Sequence, residues 1–114
     1  MDTIWPVPAT PPPPGFERSR ALTPEQLLAL PGPSQEAIQT LERCIESRHV
    51  AGVDYTDAAG DESTIRIRPA YIRHNSAGHL VLWGIPTDRD HWEELRLDRI
   101  RSARDTGEEF TPTW

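Results

Sequence analysis

The segment Thr64–Ile85, TIRIRPAYIRHNSAGHLVLWGI, decides the fold of this chain. Its first five residues alternate β-branched and charged side chains, which is the period of a half-buried strand. Asn75–Gly78 supplies a reversal in which Gly78 is free to adopt a positive φ. The return arm from His79 onward is almost wholly apolar, as in a strand covered on both faces. The segment therefore predicts a β-hairpin with one arginine-bearing arm and one core-forming arm.

Composition limits what surrounds this hairpin. The chain has 114 residues, enough for one domain, and nine of its 12 prolines precede Ser34. The part able to form a core is therefore roughly 80 residues. The formal net charge of −6 gives no general attraction to nucleic acid. All 12 basic residues are arginines, whose planar fork can bind phosphate or carboxylate at two points.

Several functional classes are disfavoured. The single Cys44 excludes an intramolecular disulfide and a cysteine-based metal site. The four histidines fall in no metal-binding pattern, and no serine has the context of an activated nucleophile. We therefore predict no enzyme activity, no metal and no cofactor. The sequence contains no signal peptide and no long apolar span, so we expect a cytoplasmic protein without membrane contact.

The N-terminal third divides into two parts. Residues 1–20 are proline-rich and predict an extended, disordered tail, with two alternatives: its aromatic residues Trp5 and Phe16 pack on the domain, or the prolines bind an aromatic groove. Residues 21–33 predict a short helix and linker. Thr23 with Gln26 forms a capping box around Pro24 at the first helical position.

The main domain is expected at residues 34–110, followed by a tail at 111–114. Ser34 is predicted to cap a helix that Gly52 ends, with one apolar stripe formed by Ala37, Ile38, Leu41, Cys44 and Ile45. We expect Cys44 to be a small core residue rather than a reactive thiol. The remaining pattern predicts a strand at Val53–Tyr55, a turn at Asp57–Asp61, the hairpin, a loop at Thr87–Asp90, a strand at His91–Leu97, a helical turn at Asp98–Ile100 and a last strand at Ser102–Phe110.

The order of these elements resembles the bacterial WYL domain. The matching stretches are VDYTDAAG, STIRIRPAYI, HLVLWG, DRDHWEELRLDRI and ARDTGEEF, and the strongest is Leu95–Ile100. The positions of the W-Y-L motif that gives the family its name are occupied here by Leu80, Val81 and Leu82. The resemblance implies a mostly β fold with an N-terminal helix, an Sm-like or SH3-type barrel of about five strands. It also implies a regulatory module that senses nucleic acid or a nucleotide-like ligand.

Arginines are the candidate ligand-binding residues. Arg66, Arg96 and Arg99 match arginines of the family pattern, and Arg68 shares a strand face with Arg66. Trp92, which lies among charged residues, is the candidate for stacking on a base. In the alternative interpretation the arginines form a solvated face neutralised by nearby acids, with Arg99 paired to Asp98. The full predicted anion site is Arg66, Arg68, Arg89, Arg96, Arg99 and Trp92.

Two functions are consistent with these patterns. In the first, the chain binds single-stranded nucleic acid or a nucleotide through its arginines and regulates a partner. In the second, the domain has lost its ligand and serves as a protein-interaction module or homodimer, held by the leucine helix and the proline-rich tail.

Overall fold

The computed structural model describes residues 10–114, which form a six-stranded antiparallel sheet with one long helix. The predicted mostly β fold with a preceding helix is confirmed. None of the helices in this range is long and apolar enough to cross a membrane. In chain order the elements are a 3₁₀ turn (Phe16–Arg18), β1 (Arg20–Ala21), α1 (Pro24–Leu28), α2 (Gly32–Ser47), β2 (His49–Thr56), β3 (Glu62–His74), β4 (Leu80–Pro86), β5 (Glu93–Arg96), a 3₁₀ turn (Leu97–Arg99) and β6 (Ile100–Glu109).

The sheet is open rather than closed into a barrel, which corrects the predicted Sm-like or SH3-type closure. The strand order is β5-β4-β3-β2-β6, and β1 pairs with the far end of β3. Strands β5 and β6 are the two edges, and no ladder joins them within residues 10–114. The four residues of β5 all pair with β4, and the chain then turns through the 3₁₀ segment to reach the opposite edge. The short β5 leaves the sheet open on that side.

The predicted hairpin is the centre of the sheet. Strand β3 runs without interruption through Pro69, and a bulge at Ala70 shifts its register against β4. At the reversal the Asn75 amide donates to the His79 carbonyl at 2.8 Å, and Gly78 has the expected positive φ of 85°. The first half of β3 pairs with β2 and the second half with β4, so β3 connects the two halves of the sheet.

The start of α1 follows its predicted sequence signal, whereas α2 differs from the prediction at both ends. The capping box of Thr23 and Gln26 is present at the start of α1, as predicted. Helix α2 begins earlier than predicted, after Pro31, so Ser34 lies inside the first turn and makes no cap. It also ends earlier, because Arg48 adopts the left-handed conformation (φ 59°) that sends the chain directly into β2. The predicted stop, Gly52, lies within that strand.

One hydrophobic core lies between α2 and the sheet. The predicted helix stripe contributes three fully buried residues, and alternate residues of β2 meet it from the sheet. Burial raises the pKa of Cys44 to about 11, so its thiol is protonated and unreactive near neutral pH. Leu22, Leu27 and Leu30 pack against this core from the segment around α1. The core consists of Ile38, Leu41, Cys44, Ala51, Val53, Tyr55, Ile67, Leu82, Leu95 and Leu97.

An aromatic layer covers the opposite face of β3 and β4. Ile72 and Leu82 are paired and contact the core, so their neighbours Tyr71 and Trp83, also paired, point to the other side. Rings from both ends of the chain complete a continuous series of contacts with centroid separations of 4.6–5.9 Å. In order of contact the series is Trp83, Phe16, Tyr71, Trp92, Trp114 and Phe110.

Residues 10–16 and 111–114 lie on this layer. This differs from the flexible tails expected at residues 1–20 and 111–114 and confirms, for Phe16, the alternative in which the aromatic residues pack on the domain. Pro13 is fully buried, and the Thr10 amide donates to the Thr113 carbonyl at 2.5 Å. The reason is the aromatic content of the segments, since Phe16 and Trp114 find apolar partners on the sheet. Of the predicted tail, residues 1–9, including Trp5, lie outside the described residues.

Candidate anion-binding face

Two arginines flank a glycine on the sheet face away from the core. Gly52 of β2 is in register with Arg66 of β3 on one side and with Arg104 of β6 on the other. Residues directly opposite one another in antiparallel strands project to the same face, so both side chains rise beside Gly52. We call this region the arginine face; its residues are Gly52, Asp54, Arg66, Arg104 and Glu108.

Both arginines are held by carboxylates of the chain itself. Arg66 bonds Glu108, and both side chains are more than half exposed. Arg104 bonds Asp54 at 3.0 Å between Nη1 and Oδ2. Its guanidinium lies directly over Gly52: a Cβ added to Gly52 would come within 2.9 Å of Arg104 Nη2. The missing side chain therefore provides the space that Arg104 occupies.

Asp54 accepts three side-chain hydrogen bonds on the arginine face. Its carboxylate accepts hydrogen bonds from Ser102 Oγ (2.6 Å), Thr64 Oγ1 (2.9 Å) and the Arg104 guanidinium. These interactions, led by the Ser102 bond, lower its pKa from the ordinary 3.8 to about 2. The carboxylate thus remains charged across the physiological range and fixes Arg104.

The pKa of Asp54 predicts a specific acid dependence of stability. Because its pKa is lower in the folded than in the unfolded chain, the folded state binds fewer protons, and stability falls as the pH drops from about 4 to about 2. We expect Asp54→Asn to flatten the dependence of the melting midpoint on pH in this interval. Thermal melts of both proteins between pH 2 and 7 measure this, and parallel curves below pH 4 would contradict the role of Asp54.

Arg68 of β3 and Arg89 of the loop after β4 lie beside the arginine face, at the edge of the sheet where β4 ends. Arg68 donates to three backbone carbonyls, those of Ile85 (3.2 Å), Pro86 (2.9 Å) and Arg89 (2.7 Å). It therefore supports the loop after β4 rather than presenting a free guanidinium. Arg89 extends from that loop and pairs with Glu93 at 3.3 Å.

A shallow groove of about 440 Å³ joins this edge to the arginine face, and its volume is within the range of small-molecule sites. Arg66 and Arg89 both line it, and Arg68 holds the loop that forms one wall. The complete lining is Ser63, Thr64, Ile65, Arg66, Pro86, Thr87, Asp88, Arg89 and Glu93.

The other two predicted arginines occupy a different part of the molecule. Arg96 binds Asp98 at two points, Nε to Oδ1 at 3.0 Å and Nη2 to Oδ2 at 2.6 Å. This contact replaces the predicted pair between Asp98 and Arg99. Arg96 lines a separate pocket with Leu30 and His79, and Arg99 ends the 3₁₀ turn.

The family model of the WYL domain matches residues 36–105, which is more than half of the chain. This chain belongs to the WYL domain family. Among solved structures it is similar to proteasome accessory factor B/C of Arthrobacter aurescens, with a TM-score of 0.61 and 14% sequence identity. The match covers 81% of this chain and 13% of that one, so the chain spans a small fraction of that protein's length. At this identity the likeness concerns the fold.

Within this WYL domain the predicted stacking residue, Trp92, lies in the aromatic layer rather than in the groove lined by Arg66 and Arg89. Its ring contacts Tyr71 at 5.9 Å and Trp114 at 5.2 Å. Its indole Nε1 donates to the carbonyl of Pro11 at 2.8 Å. Trp92 therefore faces the two terminal segments of the chain.

The structure brings together three of the five predicted arginines, Arg66, Arg68 and Arg89, and separates Arg96 and Arg99 from them. Arg104 was not predicted from the sequence, in which its strand is recognisable only as the last element of the sheet. The signal that identifies it is register: β6 returns beside β2 and places Arg104 level with Gly52.

Proposed function

We propose that this WYL domain is a ligand-sensing regulatory module that binds single-stranded nucleic acid or a nucleotide on its arginine face. The observation that carries the proposal is the arrangement of Arg66 and Arg104 on either side of Gly52. Neighbouring strands are about 4.8 Å apart, so the two Cα atoms are roughly 10 Å apart. A phosphate between the Arg66 side chain and the Arg104 guanidinium, which lies over Gly52, can then accept hydrogen bonds from both guanidinium groups.

Glu108, the carboxylate that pairs with Arg66, can be exchanged for a ligand. The pair between Arg66 and Glu108 is exposed on both sides, and exposed ion pairs contribute little to stability. A phosphate that replaces Glu108 makes a charge-assisted, two-point contact of the same kind. Arg89, which lines the same groove, supplies a further contact for a second phosphate or for a longer strand.

Binding at this site has a characteristic salt dependence. The net charge of −6 opposes approach of an anion, so the affinity comes from local contacts. Two or three phosphate contacts give a slope of about −1.4 to −2.1 for log affinity against log salt with a single strand. Removing one contact reduces the slope by about 0.7.

Fluorescence anisotropy with a labelled single-stranded oligonucleotide, titrated at several low salt concentrations, tests this proposal. We expect Arg66→Ala and Arg104→Ala each to weaken binding and to flatten the slope by about 0.7. Glu108→Gln should strengthen binding, because it releases Arg66 from its internal partner.

The matched control is Arg20→Ala, which removes the same charge from β1, beside the far end of β3. Arg20 is exposed and pairs with His74, eight residues along that strand from Arg66. It should leave the slope unchanged. Absence of binding up to about 100 µM, weaker than ordinary non-specific affinity, would contradict the proposal, as would an Arg20→Ala effect equal to that of Arg66→Ala.

The second candidate is a protein-interaction or dimerisation module without a small ligand. It is favoured by the pairing of Arg66, Arg89, Arg96 and Arg104 with carboxylates of the same chain. In either case the domain would regulate a partner protein. The same titration distinguishes the two functions. An interaction module binds no oligonucleotide, and Glu108→Gln does not create any oligonucleotide binding.

A further inference from the structure

Three rings of the aromatic layer come from the sheet and the loop before β5, and they form the surface on which the other rings pack. Tyr71 of β3 and Trp83 of β4 are directly paired, and Trp92 before β5 contacts Tyr71. We call these three rings the aromatic surface. It lies on the side of the sheet away from α2, outside the predicted anion site except for Trp92.

The occupant of the aromatic surface is the proline-rich segment at residues 11–16. Pro11, Pro12 and Pro13 each precede another proline, which restricts them to extended conformations. Pro13 is fully buried, and Trp92 Nε1 donates to the carbonyl of Pro11 at 2.8 Å.

After these prolines Gly15, with a φ of 83°, turns the chain. Phe16 then lies between Tyr71 (4.6 Å) and Trp83 (5.9 Å), with the Arg73 guanidinium 4.8 Å from its ring centroid. The segment is thus an extended proline run followed by one aromatic anchor.

These contacts match the way aromatic grooves recognise proline-rich peptides. An extended proline run loses little conformational entropy on binding, and its carbonyls remain free to accept from a tryptophan N–H. Prolines have no amide proton, so Pro11–Pro14 cannot be held by a strand ladder. Aromatic rings, the Arg73 guanidinium against Phe16 and one indole hydrogen bond hold residues 11–16, and any chain of the same chemistry can supply the same contacts.

We propose that the aromatic surface is a recognition site for extended proline-rich segments of partner proteins, occupied in this structure by the chain's own residues 11–16. The cis segment competes with such a partner, because its attachment gives it an effective concentration in the millimolar range. A partner segment therefore binds when the cis segment is weakened or drawn away.

The test uses full-length protein and a fluorescent peptide of residues 10–19, TPPPPGFERS. Anisotropy titrations compare the wild type with Phe16→Ala and Pro13→Gly, two variants that weaken the cis segment by different routes. We expect both variants to bind the peptide at least about tenfold more tightly than the wild type, given the competition from the cis segment. A peptide with alanine in place of its first three prolines should bind none of the three proteins.

A second substitution localises the binding. Trp92→Phe in the Phe16→Ala background keeps a ring and removes the indole donor, so peptide affinity should fall by about two- to tenfold. Leu28→Ala, at an exposed site on α1, is the matched control and should change nothing.

Four results would overturn the proposal. Equal peptide affinity for the wild type and both variants would place binding elsewhere, and equal binding of the alanine peptide would remove the proline requirement. Loss of the cooperative melt in both variants would make the segment an integral part of the fold. A concentration-dependent dimer that requires the segment, detected by light scattering, would assign the surface to a second copy of this chain instead of a partner.

Discussion

Leu82→Ala is expected to lower the free energy of unfolding by about 2–5 kcal/mol, the range for truncating a fully buried leucine. Leu82 is 0% exposed and lies in the middle of β4, directly between Ile72 of β3 and Leu95 of β5. It also belongs to the core that lies between the sheet and α2, so the cavity left by alanine is enclosed and cannot collapse easily. Domains of this size have a total stability of about 5–15 kcal/mol, and the variant therefore loses a large fraction of it.

Urea unfolding followed by tryptophan fluorescence measures this loss. Leu82→Met conserves most of the side-chain volume and should cost less than about 1.5 kcal/mol. Leu28→Ala, which truncates a leucine that is 75% exposed, should change the free energy by no more than about 0.5 kcal/mol. A Leu82→Ala effect as small as that of Leu28→Ala would refute the burial of β4 on both sides.

The parts of the fold that the sequence predicts correctly depend on residues close together in the chain. The hairpin follows from the apolar run after Asn75 and from the turn geometry of Gly78, and the capping box of α1 from Thr23 and Gln26. These features need only local backbone preferences and a two-residue or 3.6-residue period.

The predictions fail where the end of a helix or strand depends on pairing with residues that are distant in the sequence. The sequence predicts that helix α2 ends at Gly52, but Arg48 adopts the left-handed conformation and β2 begins at the next residue, where it pairs first with β6 and then also with β3. The open sheet has the same origin. Whether β5 pairs with β6 depends on the length of β5 and on the turn after it, and hydrophobic periodicity does not encode either one.

The candidate site shows the same division. Arg66 and Arg68 are recognisable from the strand period, but Arg104 becomes a neighbour of Arg66 only through the register of β6 against β2. The charged neighbours of Trp92 in the sequence predict that it belongs to the anion site. Its actual neighbours, Pro11 and Trp114, come from the two termini of the described chain, and composition alone predicted these as tails.

Gly84→Ala is expected to destabilise the domain by about 1–3 kcal/mol, although it adds a single methyl group. Gly84 lies in the buried strand β4, opposite Pro69 at the bulge of β3. A Cβ at this position would come within 2.6 Å of the Arg68 carbonyl oxygen and within 2.8 and 2.9 Å of two side-chain carbons of Ile67. The carbonyl belongs to the backbone of the central strand, so the contact cannot be relieved by rotating a side chain.

The matched control for Gly84→Ala is Gly32→Ala. Gly32 is the first residue of α2, and apart from its chain neighbours and the backbone of its own helix no atom lies within 4 Å of a Cβ placed there. This substitution should change the free energy of unfolding by no more than about 0.5 kcal/mol, because the entropy that alanine removes from the unfolded chain is offset by the crowding of its Cβ against Pro33. The two variants carry the same chemical change, so the difference between their urea midpoints isolates the steric cost at Gly84. Equal midpoints would mean that β3 and β4 separate at the bulge by more than the structure shows, and the close approach of Gly84 to Arg68 would then be refuted.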